Sequence, residues 1–524
     1  MTWDFVIVGS GFGGSVSALR LAEKGYRVLV LEKGKRYGKD DFAKNNRDIR
    51  RWLWNPAIGA HGIFQMTFLR HVTILHGVGV GGGSLTYANT LPTPTDRFFE
   101  SPSWAHLASW KKELVPHYDT ARRMLGSVKN THLTPADRLL REVARDIGRE
   151  DHFDTPHVAV FFGQPGREVP DPYFDGAGPA RTGCTECGAC MTGCRVGAKN
   201  TLDRNYLYLA EKRGATVQPE TEVVAVRARE GGGYLIETRG SLGSGRSQTI
   251  ETAQVIFAGG VMGTLPLLLA MKADPRGLPR LSDRLGDFVR TNSESLIGVA
   301  APDAEEDFSR GIAITSILHT DDHSHLEPVR YGAGSDFFRF LILPHGPGND
   351  VLTRVSKMVG RFARDAGTWL RMYTMSNFAE KSATLLYMRT LEGTLKLRLA
   401  RSPLTGFKKG LVSELEPGAE APKAFIPEAT DLAERFAKKM RGIAATVFSE
   451  TILGSPTTAH ILGGACMGAS PAEGVIDHRH RVFGYDGLYV IDGSAVSANP
   501  GVNPSLTITA LAERAMSFIP PKAA

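Results

Sequence analysis

Four of the five cysteines lie close together and could hold an inorganic cofactor. They form the run Cys184-Thr-Glu-Cys187-Gly-Ala-Cys190-Met-Thr-Gly-Cys194. This C-x2-C-x2-C-x3-C spacing is like that of bacterial ferredoxins, although Arg195 stands where a proline usually follows. Thiolates at two-residue intervals can converge on one iron–sulfur cluster, and glycines between them open N–H donors to its sulfurs. Zinc is the main inorganic alternative, and cysteines without metal, reduced or disulfide-linked, are the other.

A second set of candidate residues lies near the C-terminal end. His460 begins a glycine-rich stretch that ends at Gly468, and Asp492-Gly493 and Asn503-Pro504 follow it. An imidazole can accept a proton, and a carboxamide can hold an oxygen atom in place. Two simpler interpretations remain open. His460 could be a core histidine bonded to a carbonyl, and Asn503 could be the N-cap of a helix predicted from residue 505 to 518.

The N-terminal end contains the clearest element that could position a ligand for such groups. A strand, a glycine turn, a helix, a second strand and an acid follow one another as residues 5–8, Gly9 with Gly11 and Gly14, residues 15–24, residues 27–31 and Glu32. The glycines let the backbone approach a pyrophosphate, the helix N-terminus offers N–H donors, and the carboxylate binds a ribose hydroxyl. This order predicts a dinucleotide site rather than a plain tight turn. It disfavours NADP and leaves FAD and NAD open.

Further elements follow from periodicity. Helices are predicted at residues 109–125, 135–147 and 206–209, and strands of a small meander at residues 215–218, 222–228 and 233–238. A glycine-dense loop from Gly79 to Asn89 could contact a flat ligand closely. Residues 253–271 are uncharged, but the glycines and Pro266 within them favour a strand, a glycine turn and a buried helix over a membrane span.

Length and charge narrow the class of protein. A chain of 524 residues can form two or three domains with a large core. The formal net charge of +7 comes from 62 basic and 55 acidic residues that are dispersed along the chain, and no nucleic-acid motif is present, so a nucleic-acid partner is not expected. The early apolar residues belong to the predicted first strand and do not form a signal peptide. We therefore expect a cytoplasmic protein.

Several of these segments together resemble the glucose–methanol–choline (GMC) family of FAD oxidoreductases. The resemblance rests on the opening glycine turn, the loop from Gly79 to Asn89, Ala258-Gly-Gly-Val-Met-Gly263 with its Leu-rich helix, and residues 460–514. Within the family, the likeness is greatest to the sterol-oxidising members, through Gly81-Gly-Gly-Ser-Leu85, residues 202–207 and Gly501-Val-Asn-Pro504. The resemblance covers the cofactor half well and the substrate half poorly.

The resemblance implies FAD rather than NAD and an α/β fold. This fold is a discontinuous FAD-binding Rossmann-like domain with an α+β substrate domain that has a mainly antiparallel sheet. Expected segments are 1–105, 181–300 and 455–524 for the FAD domain, 106–180 for a covering segment and 301–454 for the substrate domain. The expected cofactor contacts are Gly9, Gly11, Gly14, Glu32, Gly81, Gly82, Ser84, Asn89, Val223, Asp492, Gly493, Asn503 and Pro504.

The same resemblance assigns catalytic roles. It implies that His460 is the base or hydroxyl-orienting residue and that Asn503 donates a hydrogen bond at the same face of the flavin. The sterol-oxidising members also carry a glutamate in the substrate domain, and Glu327 lies about where that residue falls. The resemblance thus implies that Glu327 is a candidate second base. A surface or salt-bridged Glu327, paired with Arg330, is an at least equally good interpretation. The neighbouring histidines of residues 319–325 lie in a polar loop whose spacing is unspecific for a metal.

These features predict FAD-dependent oxidation of a hydroxyl on a hydrophobic, sterol-like alcohol, with oxygen or a redox partner as electron acceptor. One alternative is a dehydrogenase of a sugar or small alcohol that passes electrons through an iron–sulfur cluster. Another is a redox-sensing or electron-transfer flavoprotein in which His460 is structural. An apolar cavity would favour the sterol, whereas polar and charged lining residues would favour the sugar.

One segment bears on how a lipophilic substrate would be reached. Residues 351–371 read as a single amphipathic helix with an apolar stripe and several basic residues on its other faces. Such a helix can rest on an anionic bilayer, which would make the protein peripheral at the membrane. The simpler interpretation is a surface helix whose apolar stripe packs on its own domain.

Overall fold

A computed structural model describes residues 3–242, 247–391, 393–415 and 421–523 of the chain. Two large sheets organise these residues. One sheet is mostly parallel and the other is antiparallel, so the predicted α/β class with a mainly antiparallel second sheet is confirmed.

The first sheet contains the opening strand Trp3–Val8. Parallel pairing runs from Thr216–Gln218 through Val28–Leu31 and Trp3–Val8 to Gln248–Phe257. The long strand Gln248–Phe257 has two partners on its far side: its first half pairs with the antiparallel hairpin of Thr221–Ala228 and Tyr234–Gly240, and its second half with Leu488–Val490. The hairpin contains two of the three strands of the predicted meander, whereas the third, Thr216–Gln218, pairs in parallel with Val28–Leu31.

Buried aliphatic residues explain why this sheet forms. The strands Val28–Leu31 and Trp3–Val8 are almost wholly apolar, as is typical of parallel strands covered on both faces. Helix Phe12–Glu23 packs against Tyr206–Lys212 and the C-terminal helix Ser505–Ser517, while helix Val261–Ala273 lies against the hairpin. The described α-helices beyond these are Ile49–Trp52, Asp96–Phe99, Trp110–Met124, Pro135–Asp146, Val351–Arg364, Ala366–Thr374 and Pro427–Met440.

The second sheet is antiparallel at every described pairing. Its strands, in spatial order, are Ile342–Pro344, Ile443–Val447, Ser295–Ala300, Ser382–Arg389, Ser324–Val329, Ile317–His319 and Phe153–Asp154. Successive residues point to opposite faces. Ile297 and Leu385 belong to the core cluster beneath helices Pro135–Asp146 and Pro427–Met440, whereas Leu296 and Leu386 face a large cavity.

Smaller sheets join the ends of the chain to this framework. Phe64–Phe68, Thr73–Gly77 and Thr457–Thr458 form one three-stranded sheet, and Val289–Arg290, Thr394–Arg401 and Lys409–Glu414 form another. The two-stranded pairs are Trp54–Asn55 with Ala60–His61, Val128–Lys129 with His157–Val158, and Glu168–Val169 with Arg181–Thr182. The first of these small sheets holds the segment before His460 against the cavity.

The predicted single helix over residues 351–371 is wrong in one respect. The structure has two helices, Val351–Arg364 and Ala366–Thr374, which meet at Asp365. Much of the apolar stripe is not packed on the domain, because Leu352 is 84% exposed and Leu370 is 66% exposed. In helix Val351–Arg364 the buried residue is Arg354. None of the helices in the described ranges is long and apolar enough to cross a membrane.

Candidate active site

A cavity of about 760 Å³ lies between the two large sheets. One end is at the carboxyl ends of the parallel strands, where Gly9, Glu32 and Ala258 follow their strands into it. Open α/β sheets bind ligands at this edge. The other end lies under the antiparallel sheet, so the cavity can receive a cofactor from one side and a substrate from the other.

The parallel-sheet end is shaped by close backbone approaches. Helix Phe12–Glu23 begins after Gly11 without a side-chain cap, so its first N–H groups point toward the cavity. A Cβ atom at Gly82 would lie 2.6 Å from the Cα of Gly11, so the two glycine loops touch here. The carboxylate of Glu32 accepts hydrogen bonds from Ser10 and from the N–H of Gly34. This narrow, donor-rich cradle fits the pyrophosphate and ribose of FAD.

Most of the expected cofactor contacts line this cavity. Those that do so are Gly9, Gly11, Glu32, Gly82, Val223, Asp492, Gly493, Asn503 and Pro504. Asp492 is fixed by hydrogen bonds from the N–H groups of Gly260 and Ser494, each at 2.8 Å, and its burial raises the pKa of its carboxyl group. Asp492 therefore ties the loop at Gly260 to its own loop where both line the cavity.

Four other expected contacts do not line the cavity. Gly14 packs against the backbone of Gly9, and a Cβ atom there would also lie 3.2 Å from that of Ala258. Gly81 and Ser84 hold the glycine loop together, because Ser84 Oγ donates to the carbonyl of Gly81 at 2.7 Å and accepts from Leu202 N at 3.0 Å. Asn89 is fully buried on the far side of that loop.

His460 lines the cavity and is paired with a carboxylate. Its Nδ1 lies 2.9 Å from Oε2 of Glu294, whose other oxygen accepts from the N–H of Ala459 at 3.1 Å and from the hydroxyl of Thr458. Burial alone would lower the pKa of His460, but the Glu294 carboxylate, with a smaller effect of Glu327, raises it above its usual value. Because Glu294 engages Nδ1, Nε2 is the ring nitrogen left to act on a ligand.

Asn503 and Glu327 form a second polar pair in the same region. Asn503 Nδ2 donates to Glu327 Oε2 at 3.4 Å, and His325 Nε2 lies 3.5 Å from Oε1 of the same carboxylate. Glu327 is fully buried, so the alternative of a surface glutamate is wrong, and its near cationic partner is His325 if that ring is protonated. The C-terminal helix begins at Ser505 with Pro504 as its N-cap, so Asn503 is not the cap residue.

The end of the cavity under the antiparallel sheet is apolar. Its side chains come from strands of the antiparallel sheet, from the small-sheet strand Phe64–Phe68 and from loops, and they include Phe64, Met66, Leu296, Ile314, Val329, Tyr331, Phe338, Leu341, Ile342, Phe378, Leu386 and Val447. Ser382, Thr384 and Thr446 also line the cavity, but apolar side chains predominate. Such a wall suits a large apolar molecule that presents one polar group to His460 and Asn503.

Sequence reasoning did not identify Glu294, the partner of His460. The signal was weak: an acidic residue directly before the apolar strand Ser295–Ala300. Glu294 is 2% exposed and 166 residues from its partner in the chain. The strands that bring the two side chains together are set by sheet pairing, which a local pattern does not reveal.

Glu450 provides a further buried carboxyl group near the pair of His460 and Glu294. Glu450 is in the π-helical turn Ser449–Leu453, and its Oε1 accepts from the N–H of Thr457 at 3.1 Å. Its Oε2 has no hydrogen-bond partner among the described residues. Burial, with a smaller effect of the negative charge of Glu294, raises the pKa of Glu450 to about 8. This carboxyl group is therefore protonated near neutral pH.

The four clustered cysteines line a separate small cavity on the other side of the glycine loop. They are free thiols in this structure, with no disulfide bond among them. Across the described ranges, no three His, Cys, Asp or Glu side chains are arranged to hold a single metal ion. A tetrahedral zinc site would need sulfurs about 3.8 Å apart, as follows from a Zn–S bond of about 2.3 Å. The zinc alternative therefore finds no support.

Comparison with known proteins gives the same architecture. Residues 4–350 match the family model for FAD-dependent oxidoreductases, and residues 418–512 match that for GMC oxidoreductases. The chain is 44% identical to a cholesterol oxidase of Acinetobacter baumannii and 46% identical to one of Mycobacterium tuberculosis H37Rv. The two alignments cover 99% of this chain and 95% and 91% of those proteins. The crystal structure of pyridoxine 4-oxidase from Mesorbium loti superposes with a TM-score of 0.63 at 15% identity, covering 99% of both chains.

Proposed function

Because the chain belongs to the GMC family of FAD-dependent oxidoreductases, we propose that it oxidises the hydroxyl group of a sterol, or of a similarly bulky hydrophobic alcohol, to the carbonyl. The observation that supports this most directly is the shared cavity. It joins a glycine cradle that fits FAD to an apolar chamber, and His460 and Asn503 lie where the two meet. The named activities of the similar proteins favour the sterol among hydrophobic alcohols.

FAD would be held by the glycine loops around Gly11 and Gly82, by Glu32 and by the loop at Asp492. When bound, it supplies an acceptor for the hydride that leaves the carbinol carbon. Acceptance of two electrons by dioxygen, with two protons, would then yield hydrogen peroxide. The name oxidase given to the similar proteins supports dioxygen as that acceptor.

We assign the proton chemistry to His460. An alcohol becomes a carbonyl by losing its hydroxyl proton as well as a hydride, and Nε2 of His460 can accept that proton once it is itself unprotonated. Glu294 holds the ring in one orientation and stabilises the imidazolium that results from proton transfer, because its carboxylate is buried 2.9 Å from Nδ1. Glu294 is thus a positioning residue, and His460 is the proposed base.

Asn503 would hold the substrate oxygen. Its carboxamide donates to Glu327, and its Oδ1 has no partner in the described part of the chain, so the side chain can reorient toward a ligand. Glu327 sets the direction of that carboxamide and adds a negative charge that also acts on His460. We therefore propose that Glu327 positions Asn503 and favours the protonated form of His460 after proton transfer.

The apolar chamber argues against the sugar alternative. Burying a sugar hydroxyl without a hydrogen-bond partner costs on the order of 1–3 kcal/mol, and a sugar brings several such groups. A sterol instead buries a rigid apolar skeleton against Phe338, Phe378 and Leu386 with one hydroxyl at the polar pairs. The lining therefore favours the hydrophobic substrate.

We also propose that the protein collects this substrate at an anionic membrane surface. Helix Val351–Arg364 packs on strand Ile342–Pro344, and residues Leu341 and Ile342 line the apolar chamber. Exposed Leu352, Val359 and Leu370 lie beside the exposed basic residues Lys357 and Arg371. Apolar side chains with flanking cations are the composition of helices that rest in a bilayer interface. The apolar patch is thus close to the chamber that would receive the lipid.

The proposed function also suggests how the chain divides into domains. We propose that residues 1–105, 181–300 and 455–524 form the FAD-binding domain, with the remaining segments covering the substrate. The strands of the parallel sheet all fall in the first three segments, which supports it. Two strands of the antiparallel sheet, Ser295–Ala300 and Phe153–Asp154, come from outside residues 301–454.

The experiment that tests the activity is anaerobic flavin reduction. The FAD-loaded enzyme is mixed with cholesterol dispersed in detergent, or with glucose, and the flavin absorbance is followed. Bleaching by the sterol, with the ketone as product and hydrogen peroxide on admission of air, is expected. Bleaching by glucose but not by the sterol would overturn the proposal. His460→Ala should retain FAD and lose the bleaching, whereas unchanged sterol turnover in that variant would support the redox-sensor alternative.

A further inference from the structure

The run of four cysteines folds around one small cavity. Cys184, Cys187, Cys190 and Cys194 all line it, together with Lys199 and apolar residues of the segments 158–160 and 196–198. Gly188 and Gly193, with φ of +68° and +106°, provide the tight turns that send successive thiols to one side of the chain. The run is therefore a convergent set of four ligand atoms in three dimensions and not just in sequence.

Backbone N–H groups are already directed at these sulfurs. Glu186 N donates to Cys184 Sγ and Lys199 N to Cys194 Sγ, each at 3.4 Å. Hydrogen bonds of this kind stabilise thiolates and the inorganic clusters they bind, since they place partial positive charge beside the sulfur. A set of packed neutral thiols has little need for such donors, because a neutral thiol is a weak acceptor.

One buried cation lines the same cavity, and two more lie near its cysteines. Lys199 is 1% exposed and donates to the carbonyl oxygens of Cys190 and Leu85 at 2.8 and 3.1 Å. Arg330, also buried, donates to a carbonyl and a hydroxyl oxygen, and it lies 3.9 Å from the carboxylate of Asp137, so its charge already has a partner. Arg181 donates to carbonyl oxygens of residues 198 and 199, and its charge acts on Cys194 and on Asp203. Lys199 is thus the cation that lines the cavity beside the four thiols.

Burying the Lys199 ammonium is costly unless negative charge lies nearby. Four thiolates on an iron–sulfur cluster would supply that charge, because such a unit is a net anion. A single metal ion does not match the arrangement, since the described residues include no group of three ligands close enough for one. A cluster holds its thiolates further apart than a single ion does, because several iron and sulfide atoms lie between them.

Asn89 adds a further buried polar group at this place. It is fully buried with φ of +72°, and neither atom of its carboxamide has a hydrogen-bond partner among the described residues. Its side chain is directed at the thiol of Cys190. The carboxamide can therefore donate to a sulfur at the cavity.

We propose that Cys184, Cys187, Cys190 and Cys194 ligate an iron–sulfur cluster. The site is next to the cavity proposed for FAD, because Met191 follows Cys190 directly and lines the large cavity, and the Lys199 ammonium lies 4.6 Å from the ring centre of Tyr87, which lines it too. The cluster is a second cofactor beyond the proposed oxidation, and its presence does not depend on the identity of the substrate.

The test is a metal and sulfide analysis of the full-length protein purified without oxygen. We expect iron and acid-labile sulfide in equal amounts, about two or four of each per chain for a cluster with four cysteine ligands, and a broad absorption that decreases on reduction with dithionite. Zinc without sulfide would overturn the proposal, as would flavin-containing protein that holds neither iron nor sulfide.

Two variants locate the site. Cys187→Ser and Cys190→Ser should each lose most of the iron and sulfide, while Cys466→Ser, a buried cysteine outside the run, should retain them. Retention of the full iron and sulfide content by both variants would place the cluster elsewhere and overturn the assignment. If the variants do not fold, the analysis of the unmodified protein still decides. Flavin content and sterol-dependent bleaching are measured on the same samples, so failure of the oxidation and failure of the cluster are told apart.

Discussion

His460 and Glu294 form a hydrogen-bonded pair with Nδ1 of the imidazole 2.9 Å from Oε2 of the buried carboxylate. The pair links His460 in the C-terminal segment to Glu294, which directly precedes strand Ser295–Ala300. Glu294 is itself held by the N–H of Ala459 and the hydroxyl of Thr458. The arrangement resembles other base–carboxylate pairs in which the acid fixes the tautomer and orientation of the histidine.

The first prediction concerns pH. If His460 accepts the hydroxyl proton, kcat/KM falls as the pH drops through the pKa of His460, which Glu294 raises. Glu294→Gln keeps a hydrogen-bond acceptor for Nδ1 but removes the charge, so the pKa of His460 should fall. The acidic limb of the pH profile should then move to lower pH. Glu473→Gln, an exposed change on the same C-terminal segment, is the control. A limb that stays in place in Glu294→Gln would show that His460 is not the titrating base.

The second prediction concerns Asn503. Asn503→Asp preserves shape but replaces the donor amide with a carboxylate oxygen, so kcat should fall by about 100-fold, as is typical for loss of one donor to a developing oxyanion. Asn205→Asp is the matched control, because Asn205 is equally buried but only caps helix Tyr206–Lys212. Steady-state sterol oxidation measures both variants. Equal kcat in Asn503→Asp and the parent enzyme would remove Asn503 from the site.

The third prediction concerns the FAD cradle. At Gly11 a Cβ atom meets nothing closer than the carbonyl of Ala258 at 3.8 Å, and its backbone φ is −70°, so Gly11→Ala should fold. The added methyl group would occupy the space proposed for the pyrophosphate, and FAD affinity should fall about tenfold or more, equivalent to about 1.4 kcal/mol. Flavin titration of apoprotein measures it. Gly360→Ala, at a helical glycine with nothing within 4 Å, should bind FAD normally. Unweakened binding in Gly11→Ala would place the pyrophosphate elsewhere.

The fourth prediction concerns Glu450 and stability. Its pKa is about 8 in the folded protein because of burial, and about 4.3 in an unfolded chain. The folded state therefore binds the proton more tightly, and this contribution to stability is full below about pH 4.3 and is lost as the pH rises toward 8. The loss is about 1.4 kcal/mol per pH unit within that window.

Glu450→Gln should remove this pH dependence. Thermal unfolding measured from pH 5 to pH 8 should show a smaller fall in Tm for Glu450→Gln than for the parent protein. Glu428→Gln, at an exposed position in the first turn of helix Pro427–Met440, should behave as the parent does. An equal fall in Tm in the parent protein and in Glu450→Gln would show that this carboxyl group does not titrate between pH 5 and pH 8.

The fifth prediction concerns membrane contact. Vesicles containing phosphatidylserine should co-sediment with the protein, and Leu352→Asp together with Leu370→Asp should weaken binding severalfold, because charge replaces the exposed apolar side chains. Leu404→Asp, at a 59% exposed leucine in the Lys409–Glu414 hairpin region, is the control. Turnover of detergent-dispersed sterol should be unchanged in the double variant. If the double variant binds vesicles as the parent does, the two helices are not the contact surface.

Local patterns in the sequence determined the secondary-structure elements whose residues lie close together in the chain. The strand, glycine turn, helix and acid at the N-terminal end fold as predicted, since each choice there depends on neighbours within a few residues. The same holds for the hairpin of Thr221–Ala228 and Tyr234–Gly240 and for the C-terminal helix, whereas Thr216–Gln218, predicted in the same meander, joins the parallel sheet. The resemblance to the GMC family also indicated the cofactor class and brought His460, Asn503 and Glu327 forward as candidates.

The tertiary structure alone decided the remaining features of the site. Glu294 reaches His460 across 166 residues, and the apolar chamber takes single side chains from many separate strands, so no sequence window contains either feature. Whether the apolar stripe of residues 351–371 is buried or exposed depended on what packs against it, and Leu352 proved to be 84% exposed. Periodicity fixes which side chains share a face. Sheet register and packing between distant segments fix what that face meets.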